Sequence, residues 1–298
     1  MPENATFRPH GELLTQNEIL EIASVFVNDF GVNKIRLTGG EPLIRKDAPE
    51  IIEALSRLPV ELAITTNGVI LDKFFSLFKK IGLESINISL DSLDPVKNQL
   101  ITRRPYFKKV KQNISKAISL GFNVKVNVVV NRGVNDNEIY DFVNWTKEEP
   151  IHIRFIEFMP FDGNNWNWGK VVPFKEILDK VESVYSINKL QDRFHSTTKA
   201  YQVNGHVGTF AVISSITAPF CGGCNRIRLT ADGKLKNCLF SQQEVDVLAQ
   251  LRVGKDFKNI VSDSISEKYA ERGGLTEFYS ANANTEYERG RCMTAIGG

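Results

Sequence analysis

Three of the chain's four cysteines, Cys221, Cys224 and Cys238, fall within "CGGCNRIRLTADGKLKNC", with Arg226 and Arg228 between them. This C-x2-C-x13-C spacing points to thiolates that hold a metal. A structural zinc site takes four ligands, and only three thiols lie here. Cys292 is far along the chain, and the nearest upstream histidines, His195 and His206, lie outside the segment. A 4Fe-4S cluster held by three thiolates would leave one iron open to another ligand. Spacing alone leaves zinc and iron–sulfur equally open. A thioredoxin-like redox pair fits less well, because no matching βαβ context surrounds it.

The arginines add a second kind of chemistry. "NRIRLT" reads as a strand, so Arg226 and Arg228 would share a face, and guanidinium forks suit phosphate oxygens. Any one of them alone would read as a solvated charge or a surface ion pair. They have company, however, on the strands that precede them.

Those strands alternate with helices. Thr15 and Glu18 form a T-x-x-E capping box, and Ile19, Ile22, Ala23, Phe26, Val27 and Phe30 follow at helical spacing. Gly31 suits the position after a helix. The strand "KIRLTGG" comes next. Four more helix–strand units follow, with strands "ELAITTNG", "SINISLD", "NVKVNVVV" and "IHIRFIEFM". Such alternation predicts a parallel sheet with helices outside it. An antiparallel sheet with one wet face is the competing reading. The intervening helices argue against it, because hairpins need only short turns.

Parallel strands are normally apolar on both faces; these are not. Lys34, Arg36 and Thr38 share one parity, as do Thr65 and Asn67, Asn87 and Ser89, Lys125 and Asn127, and His152 and Arg154. Helices must cover the apolar parity, so the polar one should face a cavity holding something polar. Together, Lys34, Arg36, Lys125, Arg154, Arg226 and Arg228 would make that cavity suitable for a triphosphate.

After Pro173 the alternation stops. "PFKEILDKVESVY" reads as a helix, "DRFHSTTKAYQVNGHVG" as loop, and "TFAVISSI" as a strand leading into the cysteine segment. A domain boundary is expected near residue 205, dividing 1–205 from 206–298.

Composition bounds the remaining choices. The 298 residues are 42% hydrophobic and 24% charged, the profile of a globular protein with a substantial core. The net charge of +2, from 37 basic and 35 acidic residues, gives no reason to expect nucleic-acid binding. No apolar run has the length of a membrane span, and "MPENATFRPHGELL" lacks the apolar segment of a signal peptide. The expected location is the cytoplasm.

"IRLTGGEPLIRKD", "ITTNG", "INISLDSLDP", "VKVNVVVNRGVND", "IRFIEFMPF", the cysteine segment and the terminal "IGG" occur here in order. Together they resemble the GTP 3′,8-cyclase family, the molybdenum cofactor biosynthesis protein A group of radical S-adenosylmethionine enzymes. The cysteine segment and the Gly-Gly end are far more specific than "GGEP". The resemblance implies an incomplete (β/α)6 barrel with a smaller C-terminal iron–sulfur domain. It implies two 4Fe-4S clusters, one that cleaves S-adenosylmethionine and one whose open iron binds guanine. The implied reaction removes the 3′ hydrogen of GTP and joins that carbon to C8, giving 3′,8-cyclo-7,8-dihydro-GTP.

Residue by residue, the resemblance implies Cys221, Cys224 and Cys238 as ligands of the second cluster. Arg36, Thr65, Lys125, Arg226, Ile227 and Arg228 would contact GTP, with Lys34 and Arg154 as weaker candidates. Gly40, Ser89 and Met159 would contact S-adenosylmethionine, aided by Glu41, and Gly297 and Gly298 would enter the active site. An electron donor and a downstream cyclic pyranopterin monophosphate synthase are implied partners; a homodimer is left open.

One departure matters. In the family, the third cysteine of a C-x3-C-x2-C motif directly precedes an "MPE"-like stretch, which here is Met1-Pro2-Glu3. The expectation is that the natural protein is longer, carrying that motif, a first barrel strand and an early GTP-binding arginine. On this reading the 298 residues alone fold poorly and are inactive. The alternatives are a truncated form that binds GTP without catalysis, and a different radical enzyme with an auxiliary cluster.

Overall fold

The computed structural model describes residues 8–275 and 291–296. Gly297 and Gly298 lie outside the described residues. The first helix, α1 (Gln16–Asn28), begins at the expected capping box. Glu18 N donates to Thr15 Oγ1 and Thr15 N donates to Glu18 Oε2. Gly31 takes the positive φ of 65° that turns the chain toward the first strand.

Five strand–helix alternations follow. The strands are β1 (Lys34–Leu37), β2 (Glu61–Thr66), β3 (Ser85–Ser89), β4 (Asn123–Val130) and β5 (His152–Glu157). The helices that connect them are α2 (Ala48–Leu55), α3 (Phe75–Lys80), α4 (Pro95–Thr102), α5 (Phe107–Ser119) and α6 (Ile139–Trp145); α7 (Phe174–Glu182) follows β5. Adjacent strands are all parallel. Ile64, Ile86, Ile88, Val126, Ile153 and Phe155 are buried on the helix-covered face. Each such side chain contributes roughly 1.5–3 kcal/mol relative to exposure.

Within the stretch 192–208, expected as loop, lies a strand (Lys199–Val203); another precedes it, and "TFAVISSI" holds the strand expected there. β6 (Ile187–Lys189), β7 (Lys199–Val203) and β8 (Thr209–Ile213) extend the sheet to eight strands in the order β1-β2-β3-β4-β5-β8-β7-β6. β8 runs parallel to β5, while β7 and β6 fold back antiparallel. Asn204-Gly205, with Gly205 at φ 82°, is an Asn-Gly turn signal between two β-rich runs. The β8 strand makes a sixth parallel member of a partial barrel. β1 and β6 form its two edges.

The remaining strands, β9 (Arg228–Leu229), β10 (Lys234–Lys236) and β11 (Val245–Asp246), form a small antiparallel sheet. Helices α8 (Val247–Arg252), α9 (Lys258–Ser266) and α10 (Met293–Ile296) complete the described chain. The small sheet docks on α1. Ile22 and Phe26 share a core with Leu235, Val247, Leu248, Phe257 and Val261. Arg252 clamps the same contact through Glu18, donating also to the carbonyls of Gly11 and Leu13. This docking brings Arg228 near the open edge of the barrel. Among the described residues, no helix is long and apolar enough to cross a membrane.

Candidate active site

The strand register builds the floor of the site. Thr65, Asn87, Lys125, His152 and Thr209 are paired in one row across the sheet, and Ser89, Asn127, Arg154 and Ala211 in the next. Arg36, Ala63 and Ser85 form a third. All share the inner face, opposite the helices. This is the polar parity read from the sequence.

That face is under-satisfied. Buried Arg36 Nη1, Ser85 Oγ, Asn87 Oδ1, Asn127 Oδ1 and Arg154 Nε have no hydrogen-bond partner. A buried polar group left unpaired costs about 1–3 kcal/mol, so these atoms mark a place built for a polar occupant. The face lines a cavity of about 3500 Å3. Ordinary ligand pockets hold roughly 300–1,000 Å3, so this one has room for more than one small molecule.

The charges on the inner strand face are mostly positive. Burial, then the Arg36 and Arg226 charges, push Arg154 down to about 9. Burial, then Arg154, Lys34 and Arg36, push Lys125 down to about 8. Burial and the Arg226 charge lower Arg36, and burial and Arg226 lower Arg228. His152 is held near 3 by burial and its cationic neighbours, hence neutral, and its Nδ1 lies 2.6 Å from Thr209 Oγ1. Glu61 offsets part of this through a 2.5 Å ion pair to Lys34. A cavity that depresses so many cations gains most from an anion.

The predicted residues divide as follows. Lys34, Arg36, Lys125, Arg154, Arg226, Ile227 and Arg228 all line the cavity, as do Gly40, Glu41 and Ser89. Thr65 lies just beneath, accepting from Asn87 Nδ2 at 3.2 Å. Met159 stands past the end of β5, half-buried and away from the cavity wall, its carbonyl accepting from Asn164 Nδ2. Glu41 accepts from Thr66 Oγ1, Asn67 N and Leu43 N, so its carboxylate pins the loop after β1 to the end of β2.

The cysteine segment reaches the cavity wall through Arg226, Ile227 and Arg228, while Cys221, Cys224 and Cys238 stand behind that wall. Cys221, Cys224 and Cys238 are half-buried free thiols. Phe240, beside Cys238, stacks on Phe161, beyond β5, with centroids 6.1 Å apart. His195 Nδ1 lies 2.5 Å from the Gly223 carbonyl in the Cys-Gly-Gly-Cys turn. The expected strand through Arg226 is shorter: the ladder begins only at Arg228, which pairs with Lys236 as Leu229 pairs with Leu235. Lys268 holds the stretch ahead of it, donating to the carbonyls of Cys224 and Arg226 at 2.9 and 3.1 Å. Cys224 and Cys238 both lie near enough to favour the charged form of Arg228.

Among the described residues, no three metal-ligating side chains converge closely enough to hold one ion. The ligands of a cubane occupy its separate corners and need not converge. Three half-buried thiols beside guanidinium and ammonium groups fit an anionic iron–sulfur cluster. Lys268 escaped sequence reading, and His195 was read only as a histidine outside the cysteine segment. Only the folded chain brings them to the cysteine turn, and neither belongs to a local spacing pattern.

The Radical SAM superfamily profile matches residues 2–146, and that of Molybdenum Cofactor Synthesis C matches 151–273. The mitochondrial GTP 3′,8-cyclase of Arabidopsis thaliana is 47% identical over 99% of this chain and 76% of its own length. The chain belongs to the GTP 3′,8-cyclase family of radical S-adenosylmethionine enzymes. The family's GTP 3′,8-cyclase from Peptoclostridium acidaminophilum is 41% identical over 89% of this chain and 82% of its own length. Human molybdenum cofactor biosynthesis protein 1 is 45% identical, but the chain spans only 44% of it. Among solved structures, Streptococcus suis SuiB bound to S-adenosylmethionine matches 88% of this chain and 62% of its own, with a TM-score of 0.56 at 14% identity. That likeness is one of fold.

Proposed function

We propose that the protein, with a C-x3-C-x2-C motif supplied, converts GTP to 3′,8-cyclo-7,8-dihydro-GTP early in molybdenum cofactor biosynthesis. The observation that carries this reading is the inner strand face. It is cationic and holds unpartnered polar atoms on Arg36 and Arg154. Its wall continues through Arg226 and Arg228 to the cysteine segment.

In this reading Arg36, Lys125, Arg154, Arg226 and Arg228 hold the triphosphate, with Thr65 and the backbone of Ile227 positioning the nucleoside. Gly40 and Ser89 hold S-adenosylmethionine; Met159, off the cavity wall, is given that role by the family resemblance alone. Cys221, Cys224 and Cys238 hold a 4Fe-4S cluster, which when bound supplies an iron with an open position for the guanine. S-adenosylmethionine supplies the radical chemistry. The protein's part is to fix the ribose within reach of it, neutralise the phosphates and keep water from the buried floor. Gly297 and Gly298 are proposed to reach the site from the C-terminus.

The chain's four cysteines include no C-x3-C-x2-C motif, so the 298 residues alone are proposed to bind GTP without turning it over. A boundary near residue 205 separates the two roles in function rather than in the sheet, since β8 beyond it pairs with β5. An electron donor and a cyclic pyranopterin monophosphate synthase are the proposed partners, and the cytoplasm the proposed location. Calorimetric titration with GTP tests the site. Saturable binding that Arg228→Ala weakens at least tenfold is expected; unchanged affinity in Arg228→Ala would instead favour a radical enzyme with another substrate.

A further inference from the structure

The end of α9 is stitched to the cysteine segment at two points. Asn237, next to Cys238, donates through Nδ2 to the Ser264 carbonyl at 2.7 Å. Two residues past the helix, Lys268 Nζ donates to the Cys224 carbonyl at 2.9 Å and the Arg226 carbonyl at 3.1 Å. Its third neighbour is Cys224 Sγ, at 3.6 Å. An ammonium has three donors, and here they meet three acceptors within residues 224–226. No strand ladder holds that stretch, because β9 starts at Arg228.

We propose that Lys268 is the positioning residue of the cysteine segment, fixing the Cys224 thiolate relative to Arg226 and Arg228 and raising the reduction potential of the cluster those thiolates hold. The inference rests on reading Cys221, Cys224 and Cys238 as cluster ligands. Two physical effects carry it. A donor aimed at a ligand sulfur, and a positive charge beside it, both favour the more electron-rich reduced state. The carbonyl bonds tie the thiolate to the backbone on which the phosphate-facing arginines stand. The same lysine therefore couples the cluster's position to the arginine wall.

The test compares wild type, Lys268→Met and Lys268→Arg after anaerobic reconstitution, by iron content and by reductive titration followed by electron paramagnetic resonance. Lys268→Met is expected to move the midpoint to a more negative potential. Lys268→Arg, which keeps the charge and donors, is expected to lie between it and wild type. If Lys268→Met fails to retain iron while Lys268→Arg retains it, the positioning role is supported. A Lys268→Met protein with full iron and the wild-type midpoint overturns the inference and leaves the cluster reading intact. A wild-type protein without reducible iron overturns both.

Discussion

Phe161 and Phe240 stack nearly parallel, with planes 8° apart, and join the loop after β5 to the three-residue stretch Cys238-Leu239-Phe240. This contact fastens the third cysteine to the barrel. Shape and ring electrostatics give such a pair about 0.5–1.5 kcal/mol beyond area burial. Phe240→Leu is expected to lower stability by about 1 kcal/mol in urea unfolding and to lower the iron retained after reconstitution.

Arg154 is a cation that its surroundings disfavour. Its neighbours are Arg36 and Arg226, and its buried Nε is unpartnered. Arg154→Met removes the repulsion and the desolvation cost together, so the ligand-free protein is expected to melt at a higher temperature. The same change removes a charged donor from the ligand, worth about 1.5–3 kcal/mol. GTP affinity is therefore expected to fall roughly ten- to a hundredfold. Calorimetry and thermal melting on one preparation read both signs.

Lys125 gives the site a pH signature. Its value in the free protein is about 8, and a bound triphosphate raises it. The protonated form is the one that binds, so GTP affinity is expected to be full below pH 8 and to fall up to about tenfold per unit above it. Ligand-free stability moves the other way. Lys125 titrates below its unfolded value of about 10.4, so the fold gains stability as pH rises from 8 towards 10. Lys125→Gln is expected to flatten both profiles.

Glu41 tests how the glycine loop is held. Its carboxylate accepts from Leu43 N, Thr66 Oγ1 and Asn67 N. Glu41→Ala leaves those donors without an acceptor, at a cost of about 1–3 kcal/mol, and frees Gly40 beside it. Lower stability and weaker S-adenosylmethionine binding are expected together. Glu41→Gln keeps an acceptor for Thr66 and is expected to lose less.

The strand parity was legible because it needs only alternate positions: Lys125 and Asn127 face in while Val124 and Val126 are buried under helices. The α1 capping box was legible for the same local reason. α4 was not, because Val96 and Leu100, one turn apart, are exposed at 69% and 74% and leave no apolar stripe pointing inward. β6 and β7 hid in a polar run, in which β6 pairs only with β7 and β7 with β8. Within the site, the cations on strands could be read. Lys268 could not, because its acceptors lie more than forty residues earlier in the chain.

Metal analysis with electron paramagnetic resonance, on the chain reconstituted with iron and sulfide without oxygen, reads the cysteine segment itself. About four irons per chain, no stoichiometric zinc, and a spectrum of the reduced protein that changes when GTP is added are expected. Stoichiometric zinc in the cysteine segment, or a reduced spectrum indifferent to saturating GTP, would overturn the assignment of a GTP-binding iron–sulfur cluster.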